Sequence, residues 1–147
     1  MRIAVTRPAL FGLMLLTSPL LACPPRYTHS TKVGVDVNGG ALETGDLIEW
    51  TLTVVNSGCT ADTSGPTVAD LLAQGQDVET IGEGGTYDAA KREVLWDGTT
   101  TPALKGLPAM GGAAVLHLST RVSASPPPGS LCNQASLAIG GQRIPWW

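Results

Sequence analysis

Between Asp46 and Asn56 apolar and polar side chains alternate: Ile48, Trp50, Leu52 and Val54 hold one phase, and Glu49, Thr51 and Thr53 the other. A period of two puts alternate residues on opposite faces of a strand, and β-branched and aromatic residues suit a pleated, half-buried surface. The segment is predicted as a strand with its Trp50 face inward. Val33, Val35 and Val37 predict a shorter first strand, valines inward and Lys32 toward solvent. Thr67 to Leu72, Arg92 to Trp96, Ala113 to Val122 and Leu131 to Ile139 are further candidates. Asn38-Gly39-Gly40, Asn56-Ser57-Gly58, Gly82 to Gly85, Asp97-Gly98, Gly111-Gly112 and Pro126 to Gly129 supply the turns between them. No helical period is sustained, although Ala69 to Gln76 suits a single turn. About seven short strands with frequent turns predict an all-β sandwich.

The N-terminus breaks this pattern. Arg2 and Arg7 precede a mostly apolar run from Ala9 to Leu21, too short and interrupted to span a bilayer, which takes about 20 apolar residues. Leu20-Leu21-Ala22-Cys23 resembles a bacterial lipoprotein box, which makes residues 1–22 a lipoprotein signal peptide. The resemblance implies a diacylglyceryl group on the Cys23 thiol and cleavage before it, so that the membrane is reached through the anchor. Each buried CH₂ contributes about 0.8 kcal/mol, and two or more chains anchor stably without a helix. A plain secreted protein whose Cys23 pairs with another cysteine is the other reading. Pro24, where an inner-membrane lipoprotein carries Asp, implies the outer membrane. Residues 23–31 read as a short Pro-containing tether, reaching roughly 25–30 Å at about 3.1 Å per residue.

Loss of the 22-residue leader from 147 leaves 125 residues, enough for one domain. Arg2 and Arg7 go with it, so nine basic residues become seven against twelve acids, a net charge of −5. There is no basic stripe, so nucleic acid is not an expected partner, and neither is an anionic headgroup surface. With Cys23 acylated, Cys59 and Cys132 remain as an expected disulfide in an oxidising compartment. Two thiols with His29 and His117 far away make a poor metal set, so no metal or cofactor is expected.

Gly45-Asp46-Leu-Ile-Glu-Trp50-Thr-Leu-Thr-Val-Val-Asn56-Ser-Gly58 resembles a segment of a bacterial surface module, domain of unknown function 11. Val68-Ala-Asp70-Leu-Leu72 with Gly75, Leu95-Trp96, Leu107 to Gly111 and Asn133-Gln-Ala135 follow in the family's order, over about Val33 to Ile139. The resemblance implies an immunoglobulin-like β-sandwich over residues 32–140, followed by a tail at 141–147. Trp50 replaces the family's tyrosine and Ala73 its proline; one copy stands where arrays are common.

Asn56 and Asn133 fall on inward phases, where each amide is expected to bond turn backbone at a sandwich end. A Lys–Asn isopeptide cross-link, as in some surface immunoglobulin-like domains, needs a buried lysine, and the register turns Lys32 outward. Asp36 to Asp46 carries oxygen ligands, but Gly40 and Leu47 stand where a calcium loop needs an oxygen donor and Glu, so a solvated loop is expected. His117 lies alone on an outward phase, and Glu49 with Asp70 forms no evident acid/base pair, so no catalytic residue is assigned and no enzyme is expected. Trp146 and Trp147 either contact a ligand or fold back over a sheet edge. The expected function is a non-enzymatic, lipid-anchored envelope module, structural or protein-binding. The alternative is a carbohydrate- or peptidoglycan-binding lipoprotein that uses its loops and the terminal tryptophans.

Overall fold

The computed structural model describes residues 23–123, 133–139 and the strand at 142–145. It is all-β. Among the described residues nine strands run in chain order: β1 (Thr31–Asp36), β2 (Leu47–Asn56), β3 (Thr67–Leu71), β4 (Gln76–Ile81), β5 (Thr86–Asp88), β6 (Glu93–Trp96), β7 (Gly112–Val122), β8 (Gln134–Ile139) and β9 (Gln142–Pro145). A 3₁₀ turn at Pro102–Leu104 is the only helical element among the described residues. Four strands form one sheet in the order β1-β2-β7-β4, and five form the other, β5-β6-β3-β8-β9, every pairing antiparallel. The first order is that of the ABED sheet of an immunoglobulin sandwich, and β9-β8-β3 takes the place of GFC. The β5–β6 hairpin, which follows β4 in the chain, extends the second sheet along β3.

The predicted strand at 46–56 is β2, and its Ile48, Leu52 and Val54 are buried. Leu52 and Val54 share one core cluster with Leu116 and Leu118 of β7 and with Val68, Val94, Trp96 and Leu137 of the facing sheet. Trp96 lies fully buried at the centre, with its indole N–H donating to the Gly82 carbonyl at 3.0 Å. Trp50 is half-buried and packs against the rim of this core.

Three expectations need correction. First, β1 has the opposite phase. Val33 and Val35 are 55% and 57% exposed, Val37 lies beyond the strand at 50%, and Lys32, Gly34 and Asp36 take the inward slots. An edge strand has one free side, and its inner positions are constrained by what lies opposite. Gly34 pairs with Trp50, whose ring fills the space that a side chain at 34 would need.

Second, residues 23–30 are not a free tether. The Ser57 N–H donates to the Arg26 carbonyl at 2.7 Å, the Arg26 N–H donates to Asn56 Oδ1 at 3.2 Å, and Tyr27 is 5% exposed within the core. Here the folded domain starts at its first described residue, ahead of the expected boundary at 32. At the other end, 142–145, expected as tail, forms β9 against β8.

Third, Ala69 to Gln76 forms no helical turn: Ala69 to Leu71 belong to β3 and Gln76 opens β4 (Gln76–Ile81), which, like β5, is a strand where none is predicted. In β4 the inward Gln76 and Val78 are an irregular pair, and a bulge breaks its register between Val78 and Thr80.

Candidate functional site

The sandwich has two poles. One carries Asn56 to Gly65, the segment Asp97 to Gly112 and the docked start of the chain. At the other, Gln76 pairs with Val122 and Leu71 with Gln134, the first residue of β8.

At the first pole Cys23 is disulfide-bonded to Cys59, with Cα atoms 5.3 Å apart. Thr60 Oγ1 donates to the Cys23 carbonyl at 2.7 Å. This replaces the expected Cys59–Cys132 pair. Cys132 lies outside the described residues. Counting cysteines could not reveal this, because parity ignores where strands begin and end. The bridge closes a 36-residue separation, and loop entropy assigns it on the order of 3–4 kcal/mol. In the unacylated chain, Cys59→Ser should lower the urea midpoint accordingly, and reductant should then have no further effect on the variant.

Asn56 is the buried, turn-bonding amide that its place in the sequence predicts. Its Nδ2 donates to the carbonyls of Thr60 at 2.9 Å and Leu107 at 3.2 Å, and its Oδ1 accepts from Arg26 and Gly58. Beside it the Tyr27 hydroxyl donates to Asp62 at 2.6 Å, and Asp62 also accepts from Ser64 and Gly65. Burial pushes the Asp62 carboxyl up, but those hydrogen bonds outweigh it and hold the group below the ordinary carboxylate value. Burial first, then the bond and charge of Asp62, push the Tyr27 hydroxyl well up.

The second feature lies between the sheets. Lys32 of β1 crosses the interior, its Nζ 2.7 and 2.6 Å from the two oxygens of Asp70 on β3. The side chains are 6% and 0% exposed. The Trp50 ring centroid stands 4.5 Å from Nζ, and the Trp50 indole N–H donates to Thr120 at 2.9 Å, which fixes the ring over the amine. Burial drives the lysine down and the carboxyl up, against the opposing pull of their mutual attraction. A buried ion pair of this kind is costly to form, since desolvating two charges offsets most of their Coulomb gain.

Asn133 departs from its expected role. Both amide atoms are buried and neither has a hydrogen-bond partner among the described residues. His117 is exposed as predicted but not alone: Nδ1 lies 2.8 Å from Glu83, which also accepts the His117 N–H. Glu49 points out from β2 and Asp70 points in, so the two do not meet. In the Asp36–Asp46 loop, Asp36 accepts from the Asn38 N–H, and Asp46 from the Asn38 amide and the Glu43 N–H. Among the described residues no group of three or more His, Cys, Asp and Glu side chains is placed to hold a metal ion. Trp146 and Trp147 lie outside the described residues.

The protein is thus a two-sheet, all-β sandwich. Neither family models nor curated proteins match the chain. Among solved structures it is similar to the chitin-binding domain of a hyperthermophilic chitinase from Pyrococcus furiosus, at 16% identity and a TM-score of 0.48, over 84% of this chain and 97% of that one. It is also similar to the C-terminal domain of the Streptococcus agalactiae AgI/II polypeptide BspA, at 14% identity and a TM-score of 0.46, over 82% of this chain and 48% of that one. The match therefore spans about half of the BspA chain.

Proposed function

We propose that this chain is a non-enzymatic module of the bacterial cell envelope, held at the outer membrane by lipid on Cys23 and binding an envelope protein. One observation carries the reading: Leu20-Leu21-Ala22-Cys23 stands directly before a domain that is folded from Cys23 onward. Cleavage there leaves a domain that needs no spacer. The exposed Val33 and Val35 along edge strand β1 form an apolar strip of the kind that protein partners cover. The motif order shared with domain of unknown function 11 fits the same reading of a surface module. The buried polar groups Asn56 and Asp62 spend their hydrogen bonds on holding the chain's own first residues.

A secreted, unacylated sandwich is the second reading, and the Cys23–Cys59 disulfide favours it. A sulfur in a disulfide carries no acylglyceryl group, so the two fates exclude each other. On the first reading, the bridge is the form taken by chains that escape acylation.

Metabolic labelling with an alkyne analogue of palmitate separates them. The full chain should take up label and sediment with outer membranes, and Cys23→Ala should lose both. Label persisting in Cys23→Ala would overturn the anchor. So would an unlabelled wild type whose Cys23 peptide is recovered disulfide-linked to Cys59.

A further inference from the structure

We propose that Lys32 and Asn133 become joined by an intramolecular isopeptide bond, with Asp70 as the acid that relays the proton, so that β1 of one sheet is covalently tied to β8 of the other. The objection raised by the sequence was that Lys32 faces solvent, and the observed phase of β1 removes it.

The geometry supplies each part. Lys32 Nζ lies against both oxygens of Asp70 in the interior. Asp70 pairs with Ala135 across β3 and β8. Asn133 precedes Ala135 by two positions on the phase that buries Ala135 and Leu137. It is therefore the diagonal neighbour of Asp70 on the inward face, about 7–8 Å away between Cα atoms and within reach of a long side chain. Its amide is buried and bonded to nothing among the described residues, whereas buried side-chain amides are normally paired. Gln76 also has an unpartnered buried amide. However, β4 stands three strands from β1 in the same sheet, about 14 Å at about 4.8 Å per strand, and so Asn133 is the electrophile.

The chemistry needs an uncharged amine, and burial favours one. Passing a proton from Lys32 to Asp70 turns the ion pair into a neutral amine beside a carboxylic acid, the direction in which desolvation pushes both groups. The Lys32 side chain is 6% exposed, with the Trp50 ring seated over its amine in the slot left by Gly34. The amine nitrogen attacks Cγ of Asn133 while the Asp70 acid protonates the carbonyl oxygen. The Nζ–Cγ bond forms, the Cγ–Nδ2 bond breaks, and ammonia leaves. Counted from the ion pair, Nζ gives up two protons: one goes to Nδ2, which leaves as ammonia, and the other stays on Asp70, which ends as the neutral acid. No oxidant, reductant or cofactor is consumed, and the bond forms whether or not Cys23 is acylated.

The test is peptide mass spectrometry on the full chain isolated from expressing cells, denatured and digested. The expected product is a linked pair containing Lys32 and Asn133, lighter by one ammonia than the two peptides together. Asp70→Asn and Lys32→Arg should abolish it. Asn133→Asp should restore the same linked product, now with loss of water, and this covers the case in which the other two variants fail to fold. Recovery of only the separate peptides would overturn the proposal, as would a link from Lys32 to Asp70 or Gln76, or a link that survives Asp70→Asn in a folded variant.

Discussion

Lys32→Met should lower the unfolding free energy by about 3–5 kcal/mol, the range for stranding one partner of a buried ion pair. Methionine matches the length of the lysine stem but leaves the Asp70 carboxylate, 0% exposed, without its counter-ion. Urea denaturation followed by tryptophan fluorescence reads the loss, since the fully buried Trp96 should redden on exposure. A Lys32→Met, Asp70→Leu double variant removes both charges and should regain most of the electrostatic part. A single variant within 1 kcal/mol of the wild type (about one hydrogen bond) would mean that Lys32 reaches water in solution.

Tyr27→Ala should be about as damaging. Truncating a buried aromatic costs about 3–5 kcal/mol through lost contact and the cavity left behind. Tyr27 also secures residues 23–30 to the first pole. Tyr27→Phe isolates the polar part, because it keeps the ring and removes one of the donors that Asp62 accepts. A hydrogen bond to a charged group contributes about 1.5–3 kcal/mol, and the loss should depend on pH. Asp62 is held below its ordinary value in the folded chain. Its contribution is therefore complete above the unfolded carboxylate value of about 3.9 and disappears as pH falls through the lower folded value. The gap between wild type and Tyr27→Phe should narrow on acidification below about pH 4. A gap that widened instead would show that the hydroxyl serves some group other than the Asp62 carboxylate.

These two residues also show what the sequence could convey. The β2 pattern was decisive because a central strand has one buried face and a strict period, so Ile48, Leu52 and Val54 could point only one way. In β1 two alternating sets compete, Val33 and Val35 (continued by Val37 just past the strand) against Lys32, Gly34 and Asp36, and hydrophobicity favours the wrong one. The inner set is chosen by complementarity: the lysine has a carboxylate across the interior, and the glycine has a tryptophan ring over it. Neither partner is near in sequence. The clue available was Gly34 itself, since a glycine inside a strand often marks a close approach by a neighbour. Tyr27 was hidden for a different reason: two prolines after a cysteine suggest an extended spacer, and nothing local announces that the next aromatic is docked. The polar β4 lacked a hydrophobic period because its Gln76 is buried as a polar group at a sheet edge. Asn56 was readable because an asparagine ending a strand before Ser-Gly has a standard use in turn bonding.

The docking of the first residues bears on how the domain would respond to being pulled. A chain held at residue 23 has no slack to take up: tension passes at once to the hydrogen bonds that Arg26 makes with Asn56 and Ser57, then to the Tyr27 ring, and next to β1. Peeling β1 from β2 would break its ladder one bond at a time, the weakest way to load a strand. A covalent strut from Lys32, the second residue of β1, would divert that tension across the sandwich and leave the rest of the strand unstretched.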